Sequence, residues 1–540
     1  LMRHPLFFLA ILLAGCAPAG PNLPIDEPGW HDEVIYHVSQ RSFYDSNGDR
    51  HGDLNGFVEK LPYLKELGVT AILFMPLYQS NLYHNYFPTD YTAIDPEYGT
   101  MEEYLDFVRA VHAHGLKFIM DMETQYAANG HPWFDDSYKN PSSPFTNYIY
   151  YADDRNERPA QMFAGPDDSL LTLQAWPDVR FNIVFLNLNA PEIRSWLKDF
   201  YAHWVDPNGD GLFDDGVDGF RLDHIMDDLD YKGIFTSMYA NVWKPVLDHV
   251  YTINPDLFIV GEQSNWLEFG EEMMAQTGAT ASFGFPIRFA ISGAPTIYMG
   301  GRIDPADRDE LNATKIKAAV EETMRRIPKD RYFLNFIENH DMERWASAME
   351  GDRGRVRAAG ALNLLLPGIP SIYYGQELGL PGLVGEWGHD GNHIPVRDAF
   401  PWTPNPEDAG IAAFAKDTGP WWDVSYFNTP EIERLALSAQ KNEPGSTWHF
   451  YRALIALRKR HQPLMFGDYA TIPHPDSTVY AFSRSLDEER IVAVFNLSDE
   501  AKSFSLEEVD AAGYHPLFGE TVNDTGRLAL DGFGFAVLGR

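Results

Sequence analysis

From residue 30 onward, short apolar runs alternate with stretches whose apolar residues recur every three or four positions. "EVIYHVSQRSF" is followed by "LNGFVEKLPYLKELG", in which Phe57, Leu61, Leu64 and Leu67 share one helical face. "VTAILFMPL" leads through a loop into "MEEYLDFVRAVHAHG", and "LKFIMDMET" comes next. The rhythm then stops in a segment rich in Pro, Asn, Asp and aromatic residues, and resumes at "PEIRSWLKDFYAHWV". "VDGFRLDH", "LFIVGEQS", "FGFPIRFAI", "YFLNFIENHD" and "GIPSIYYGQE" supply five more strand-like runs, which makes eight. Strands apolar on both faces, alternating with amphipathic helices, predict a parallel sheet covered by helices, and eight such units predict an α/β fold of the closed (β/α)8 TIM-barrel type. Residues 125–185 interrupt the third unit as a loop-rich inserted domain, so the barrel is predicted from 30–124 and 186–464. Beyond Leu464 the helical spacing disappears, and "TVYAFSRSL", "RIVAVFNLS" and "GFAVLGR" predict a C-terminal antiparallel β-sandwich over 465–540.

The first residues read as a processing signal: Arg3 and His4, then an apolar run, Leu6–Ala14, too short to span a bilayer. The run ends in Leu13-Ala14-Gly15-Cys16, which resembles the lipobox of bacterial lipoproteins. That resemblance implies a signal peptide over 1–16, cleavage before Cys16, lipid on its sulfur, and a Pro/Gly/Ala-rich tether over 17–29. The chain would then sit in the periplasm or on the cell surface of a bacterium, attached to a membrane only through this N-terminal lipid. The plainer alternative is an ordinary secretory signal. Cys16 is the single cysteine, so an intrachain disulfide is excluded.

Net charge is -36 over 540 residues, and no Lys/Arg-rich run occurs. Such a field repels nucleic acid and anionic membrane surfaces and favours a neutral or cationic ligand.

In a parallel barrel the carboxyl ends of the strands converge on one face, where chemistry is placed. Arg221 and Asp223 end the fourth strand-like run on the same side, at i and i+2. Glu262 ends the fifth, Asn339, His340 and Asp341 end the seventh, and Asp121 ends the third. Singly, each suits an ion pair, a helix cap or a turn. Jointly, several carboxylates in one cleft cost stability and raise pKa values, which points to a substrate. Glycoside hydrolysis requires one ionised carboxylate and one protonated carboxyl. Arg221 beside Asp223 is expected to hold that aspartate ionised, and a less compensated Glu262 to keep its proton near neutral pH.

"GFRLDH", "VGEQS" and "FIENHD" resemble, in order and spacing, the signature segments of the α-amylase family of retaining glycoside hydrolases, and "GIPSIYYGQE" and "HNYFPTDY" add to the likeness. The resemblance implies action on α-glucosidic bonds of an α-glucan or maltooligosaccharide, with Asp223 as nucleophile, Glu262 as general acid/base and Asp341 as the third carboxylate holding sugar hydroxyls. It implies that Arg221, His340 and Tyr86 complete the subsite of the reacting glucose, beside Asp121. Four departures stand out. Gln125 and Tyr126 occupy the places of an Asn-His pair, and Tyr126 is expected to donate to the sugar in place of the histidine. His224 follows the nucleophile where exo-acting relatives carry Val, Thr or Ala, and is a candidate substrate contact. Phe87 replaces a pocket-closing aspartate, and Met226-Asp227 replaces a Lys-His pair. "IPVRDAFPW" resembles a loop beside the reacting sugar, which makes Arg397 a candidate contact. Transglycosylation or isomerisation, exo-acting α-glucosidase action, and glucan binding without catalysis are the alternatives.

"DSNGDRHGD" places Asp45, Asn47, Asp49 and Asp53 where oxygen ligands wrap a hard cation, and similar loops of the family imply a structural calcium, with Arg50 standing where a glycine usually eases the turn. "DPNGDGLFDD" (206–215) begins in the same way but lacks the terminal Glu. The alternative for both stretches is an Asx-rich turn without metal, which composition alone favours.

Overall fold

Alternate residues of strand β1 (Ile35–Val38) enter different cores, and that explains why the strand reads as continuously apolar. Ile35 joins Ala71, Leu73, Ile119, Val260, Ala281, Leu334 and Ile369 in one cluster, while Tyr36 and Val38 belong to a second that includes the helix residues Leu61 and Leu64. The computed structural model describes residues 29–165, 168–293, 297–298, 301–302, 310–520, 522 and 526–540. Cys16 and the tether up to residue 28 lie outside the described residues.

The further barrel strands are β2 (Ala71–Phe74), β3 (Lys117–Met122), β4 (Gly219–Ile225), β5 (Phe258–Gln263), β6 (Ala281–Phe283), β7 (Tyr332–Asn335) and β8 (Ile369–Tyr373). They pair in parallel in sequence order, and β1 closes on β8. Helix α1 (Leu54–Leu67) starts on an Asp53 side chain that accepts from Gly56 N and stops at Gly68, whose φ of 101° suits glycine. Helix α2 (Met101–Ala113) carries a full capping box between Thr100 and Glu103.

One of the eight expected strands is displaced. "FGFPIRFAI" (283–291) forms a helix over Phe285–Ser292, and the sixth strand is the three residues before it, Ala281–Phe283. Pro286 lacks the N–H that a ladder needs and fits the first turn of a helix, while an unbroken apolar run carries no period to tell the two apart.

Within 125–185, Tyr126–Ala128 pairs antiparallel with Ile183–Phe185, so the two ends of the segment meet beside the barrel mouth. Helix α3 (Pro191–Val205) then returns the chain to the barrel. The C-terminal strands are β9 (Asp468–Ile472), β10 (Val479–Leu486), β11 (Glu489–Asn496), β12 (Lys502–Ser505), β13 (His515–Gly519), β14 (Arg527–Leu530) and β15 (Phe535–Gly539). They form a five-stranded sheet, β9-β10-β11-β15-β13, and a β12-β14 ribbon. Period two is strict here. Tyr480, Phe482, Phe495 and Val537 pack into the barrel's outer core, whereas Ala481, Val492, Val494 and Leu538 face the ribbon residues Phe504, Leu528 and Leu530.

Candidate active site

Strand β4 presents Gly219 and then Arg221 toward the barrel interior, because Phe220 and Leu222 are fully buried in the outer core. A Cβ at Gly219 would run into the Phe258 carbonyl, so the narrow lower layer admits only glycine. Register sets Arg221 between Asp121 of β3 and Val260 of β5. Its side chain is 2% exposed and holds three carboxylates: Nη1 reaches Asp121 Oδ1 at 2.9 Å and Asp223 Oδ1 at 2.5 Å, and Nη2 reaches Glu262 Oε2 at 2.6 Å.

The pairing of β4 with β5 slips between Leu222 and Ile225: Leu222 faces Gly261 and Ile225 faces Gln263, so β4 has one residue too many. This bulge falls on Asp223 and His224. Successive side chains of a regular strand point to opposite faces, but here both turn to the mouth, and His224 Nδ1 lies 2.8 Å from Asp223 Oδ2. His224 Nε2 meets the Tyr126 hydroxyl at 2.8 Å, and that hydroxyl donates to Asp230 Oδ2 at 3.0 Å.

The two central carboxyls are driven apart in acidity. Burial favours the neutral form of Asp223, but the charges of Arg221 and His224 overcome it and hold the group well below the usual carboxylate range. At Glu262 burial dominates; Arg221 opposes it, the negative charges of Asp223 and Asp341 add to it, and the pKa is pushed up to about 7. The two carboxyls thus differ in acidity in the expected direction. The expected cause needs correcting, since Arg221 bonds Glu262 as well as Asp223. The asymmetry comes from the second cation, His224, whose pKa is raised to about 10 because Asp223, Glu123 and Asp230 outweigh its burial. Trp266 Nε1 donates to the other Glu262 oxygen at 3.2 Å.

Asp341 has the most open carboxylate of the three, 31% exposed, and is held by Arg397 Nη2 at 3.2 Å and His340 Nε2 at 3.1 Å. Burial lowers the pKa of His340 well below that of free histidine, with His37, Arg397 and Arg221 adding to the effect, so the ring is neutral. Its Nε2 lies 2.7 Å from the Tyr86 hydroxyl, which donates to Asp121 Oδ2 at 2.6 Å; the proton of the neutral ring is therefore assigned to Nε2.

Four residues anticipated as sugar contacts serve protein groups in this geometry, His224 among them with Asp223 and Tyr126 on its two ring nitrogens. Asp121 is fully buried, with one oxygen on Arg221 and the other on Tyr86. Arg397 is spent on the His340 carbonyl, the Tyr83 hydroxyl and Asp341. Tyr126 is buried and engaged by His224 and Asp230. Sequence reasoning missed Glu123, Asp230 and Trp266. Asp121 and Glu123 repeat the i, i+2 spacing of Arg221 and Asp223, and that signal was available in the sequence. Asp230 and Trp266 come from irregular loops that carry no period.

Next to Tyr83, which accepts from Arg397, packs Trp176: its main-chain N donates to Asp390 Oδ1 at 2.8 Å and its indole to Thr418 at 2.9 Å, and its ring lies 5.7 Å from that of Tyr83.

The two Asx-rich loops fold alike. In the first, Asp45 accepts from Gly48 N at 2.6 Å and Arg50 N at 2.8 Å, Asn47 from Asp49 N at 2.9 Å, and Asp49 from His51 N at 2.8 Å. In the second, Asp206, Asn208 and Asp210 repeat every one of these bonds onto Gly209, Gly211, Asp210 and Leu212. Arg50 adopts φ 72°, the left-handed turn that such loops require at their sixth position, so the arginine does not unmake the wrap. The oxygens of Asp45, Asn47 and Asp49 keep lone pairs for a hard cation, and the residues fit calcium. Asp53 is committed elsewhere, to Ser46 and the start of α1. Glu123, Asp223 and His224 also bring ligand atoms within 4.8 Å of one another. Nδ1 of His224 bonds Asp223 directly, so in this structure the trio is an ion cluster.

The alpha amylase catalytic-domain model matches residues 37–467. "Alpha-amylase 3" of Dictyoglomus thermophilum is 29% identical over 89% of this chain and 87% of its own length. The oligo-1,6-glucosidase of Parageobacillus thermoglucosidasius is 25% identical over 88% of this chain and 92% of its own. Among solved structures, Eubacterium rectale Amy13B superposes with a TM-score of 0.74 at 23% identity, over 95% of this chain and 97% of that one, and carries the fold comparison alone. The chain belongs to the α-amylase family and is a retaining glycoside hydrolase on a TIM barrel.

Proposed function

We propose that this enzyme hydrolyses α-glucosidic bonds in starch-like polysaccharides or maltooligosaccharides by double displacement through Asp223 and Glu262. The supporting observation is the pair of terminal nitrogens of Arg221, one on Asp223 and one on Glu262. A single guanidinium thus gathers the two carboxyls on one cation, and a retaining pair works at the short spacing of roughly 5–5.5 Å.

Asp223 attacks the anomeric carbon while Glu262 gives its proton to the departing glycosidic oxygen. The Glu262 carboxylate then takes a proton from water, the water oxygen bonds to the anomeric carbon, and Asp223 leaves with its electron pair. Asp341, open on one side and held by Arg397, accepts from sugar hydroxyls. A second reading, transfer of the glucosyl unit to another sugar, draws on the enclosure of the acid: the Glu262 side chain is 6% exposed. Water and sugar compete for the same intermediate. Timed digestion of maltoheptaose, with products separated and anomers assigned by NMR, tests both. Shorter α-anomeric products support hydrolysis, longer or isomerised ones support transfer, and β-anomers contradict the double displacement.

We further propose a structural calcium in the 45–53 loop, and attachment to a bacterial membrane through lipid on Cys16.

A further inference from the structure

One cluster of charge carries no step assigned so far in the double displacement: His224 with Tyr126, Asp230 and Glu123. Arg221 holds Oδ1 of Asp223, and His224 holds Oδ2 at 2.8 Å, so both oxygens of the attacking carboxylate carry a charge-assisted bond. The imidazole is fixed from behind. Its far nitrogen meets Tyr126, the two rings stack at 5.6 Å with 26° between planes, and the Tyr126 hydroxyl is anchored by Asp230. Asp230 and Tyr231 both take left-handed backbone, φ 53° and 54°, which non-glycine residues adopt at a cost. The bulge in β4 brings His224 to the mouth at all. Backbone, ring and hydroxyl together hold one imidazole against one carboxylate.

We propose that His224, backed by Tyr126 and Asp230, is a positioning residue that speeds the second half of the reaction, in which Asp223 leaves the anomeric carbon. The proposal rests on the double displacement above. When Asp223 attacks, its charge moves into the new bond, and a cation fixed on that charge slows the attack. When the ester breaks, the electron pair returns to Asp223, and the cation waiting there stabilises it without reorganisation. The imidazolium keeps a counter-charge throughout. It faces Asp223 and Arg221 on β4, Glu123 and Tyr126 from the chain after β3, Asp230 from the loop after β4 with Lys232 beyond it, and Glu262 from β5, which accepts from the His224 main-chain N at 3.2 Å. While Asp223 is esterified, Asp230, whose Oδ1 lies 3.8 Å from His224 Nε2, remains the nearest acid.

The probe is α-D-glucosyl fluoride, whose leaving group needs little acid help, so breakdown of the glucosyl-enzyme limits turnover. For His224→Ala the expected result is a kcat lower by about 10- to 100-fold, the worth of one hydrogen bond to a charged group. KM falls with it, and the covalent glucosyl-enzyme accumulates in intact-protein mass spectra. His224→Asn, which keeps a neutral donor near the Nδ1 position, recovers part of the rate, and Tyr126→Phe shifts kcat in the same direction by less. The acid limb of kcat/KM moves to higher pH in His224→Ala, because Asp223 loses a cation that kept it ionised. A raised KM with unchanged kcat, no accumulated intermediate and an unmoved acid limb would identify a sugar contact and overturn the proposal. Should His224→Ala fail to fold, Tyr126→Phe decides: wild-type kcat without accumulation overturns it equally. A wild type that releases β-glucose from the fluoride removes the double displacement itself, which is a different failure from wild-type retention with an inert His224.

Discussion

Glu262 and Asp223 share one arginine yet differ in protonation, and the pH profile should report that difference. With Glu262 raised to about 7 and Asp223 held below the ordinary range, kcat/KM should fall above about pH 7 as the acid loses its proton, and fall on the acid side only where Asp223 takes one up. Glu262→Gln should remove the alkaline limb and lower turnover of maltooligosaccharides by about 10²- to 10⁴-fold, checked by initial rates between pH 4 and 9. Arg221→Lys should abolish activity even where the protein folds, because a single ammonium cannot present two separate nitrogens to Asp223 and Glu262. Circular dichroism beside the assay separates loss of fold from loss of function. Much of this was legible in the chain: the i, i+2 spacing of Arg221 and Asp223, and carboxylates at three strand ends, follow from period-two alternation. What His224 does was hidden. Its side chain reaches the nucleophile only because β4 carries an extra residue, and a bulge leaves no mark in an apolar run. The places of Arg397 and Asp121 were also hidden, since whether a polar group meets sugar or protein depends on neighbours from distant loops.

Elements were legible to the extent that their periods differed. Helices α1, α2 and α3 announced themselves by spacing, whereas "FGFPIRFAI" had no period and turned out helical beyond a three-residue strand. The Asx-rich loops were visible by composition, and their identical hydrogen bonding was not. If the first loop holds calcium, the ion ties the β1–α1 connection, and removing it should cost stability through mass action. Chelation followed by thermal unfolding should then lower Tm by a few degrees, with recovery on adding calcium and not on adding magnesium, which demands a tighter octahedral shell. An unchanged Tm after exhaustive chelation would leave the loop a self-closed turn. Sheet packing yields a sharper test. Phe482 of β10 is fully buried between the terminal sheet and the barrel. Phe482→Ala should destabilise the protein by about 3–5 kcal/mol, measured by chemical denaturation, while the exposed Glu488, in the turn between β10 and β11, should tolerate alanine.

The molecule as a whole has two ends with different duties. At the amino ends of the strands, Trp30 stacks on Phe258, the first residue of β5, at 4.3 Å, and the Lys117 ammonium, from the first residue of β3, sits 4.2 Å from the same ring. The described chain thus enters at the base of the barrel, and the catalytic carboxylates lie at the opposite end of the strands. An anchor upstream of residue 29 would hold the base toward a membrane and leave the mouth facing outward, where a long glucan can reach it. The net charge of -36 adds repulsion from an anionic lipid surface, so the body of the enzyme should stand off the bilayer with only the lipid inserted. Fractionation of a bacterium expressing the full chain tests this. Wild type should sediment with membranes and resist release by high salt, and Cys16→Ser should appear in the soluble fraction with unchanged kcat on maltoheptaose. Release of wild type by salt would point to a surface contact instead of a lipid, and a membrane-bound Cys16→Ser chain would show that residues other than the cysteine hold it there.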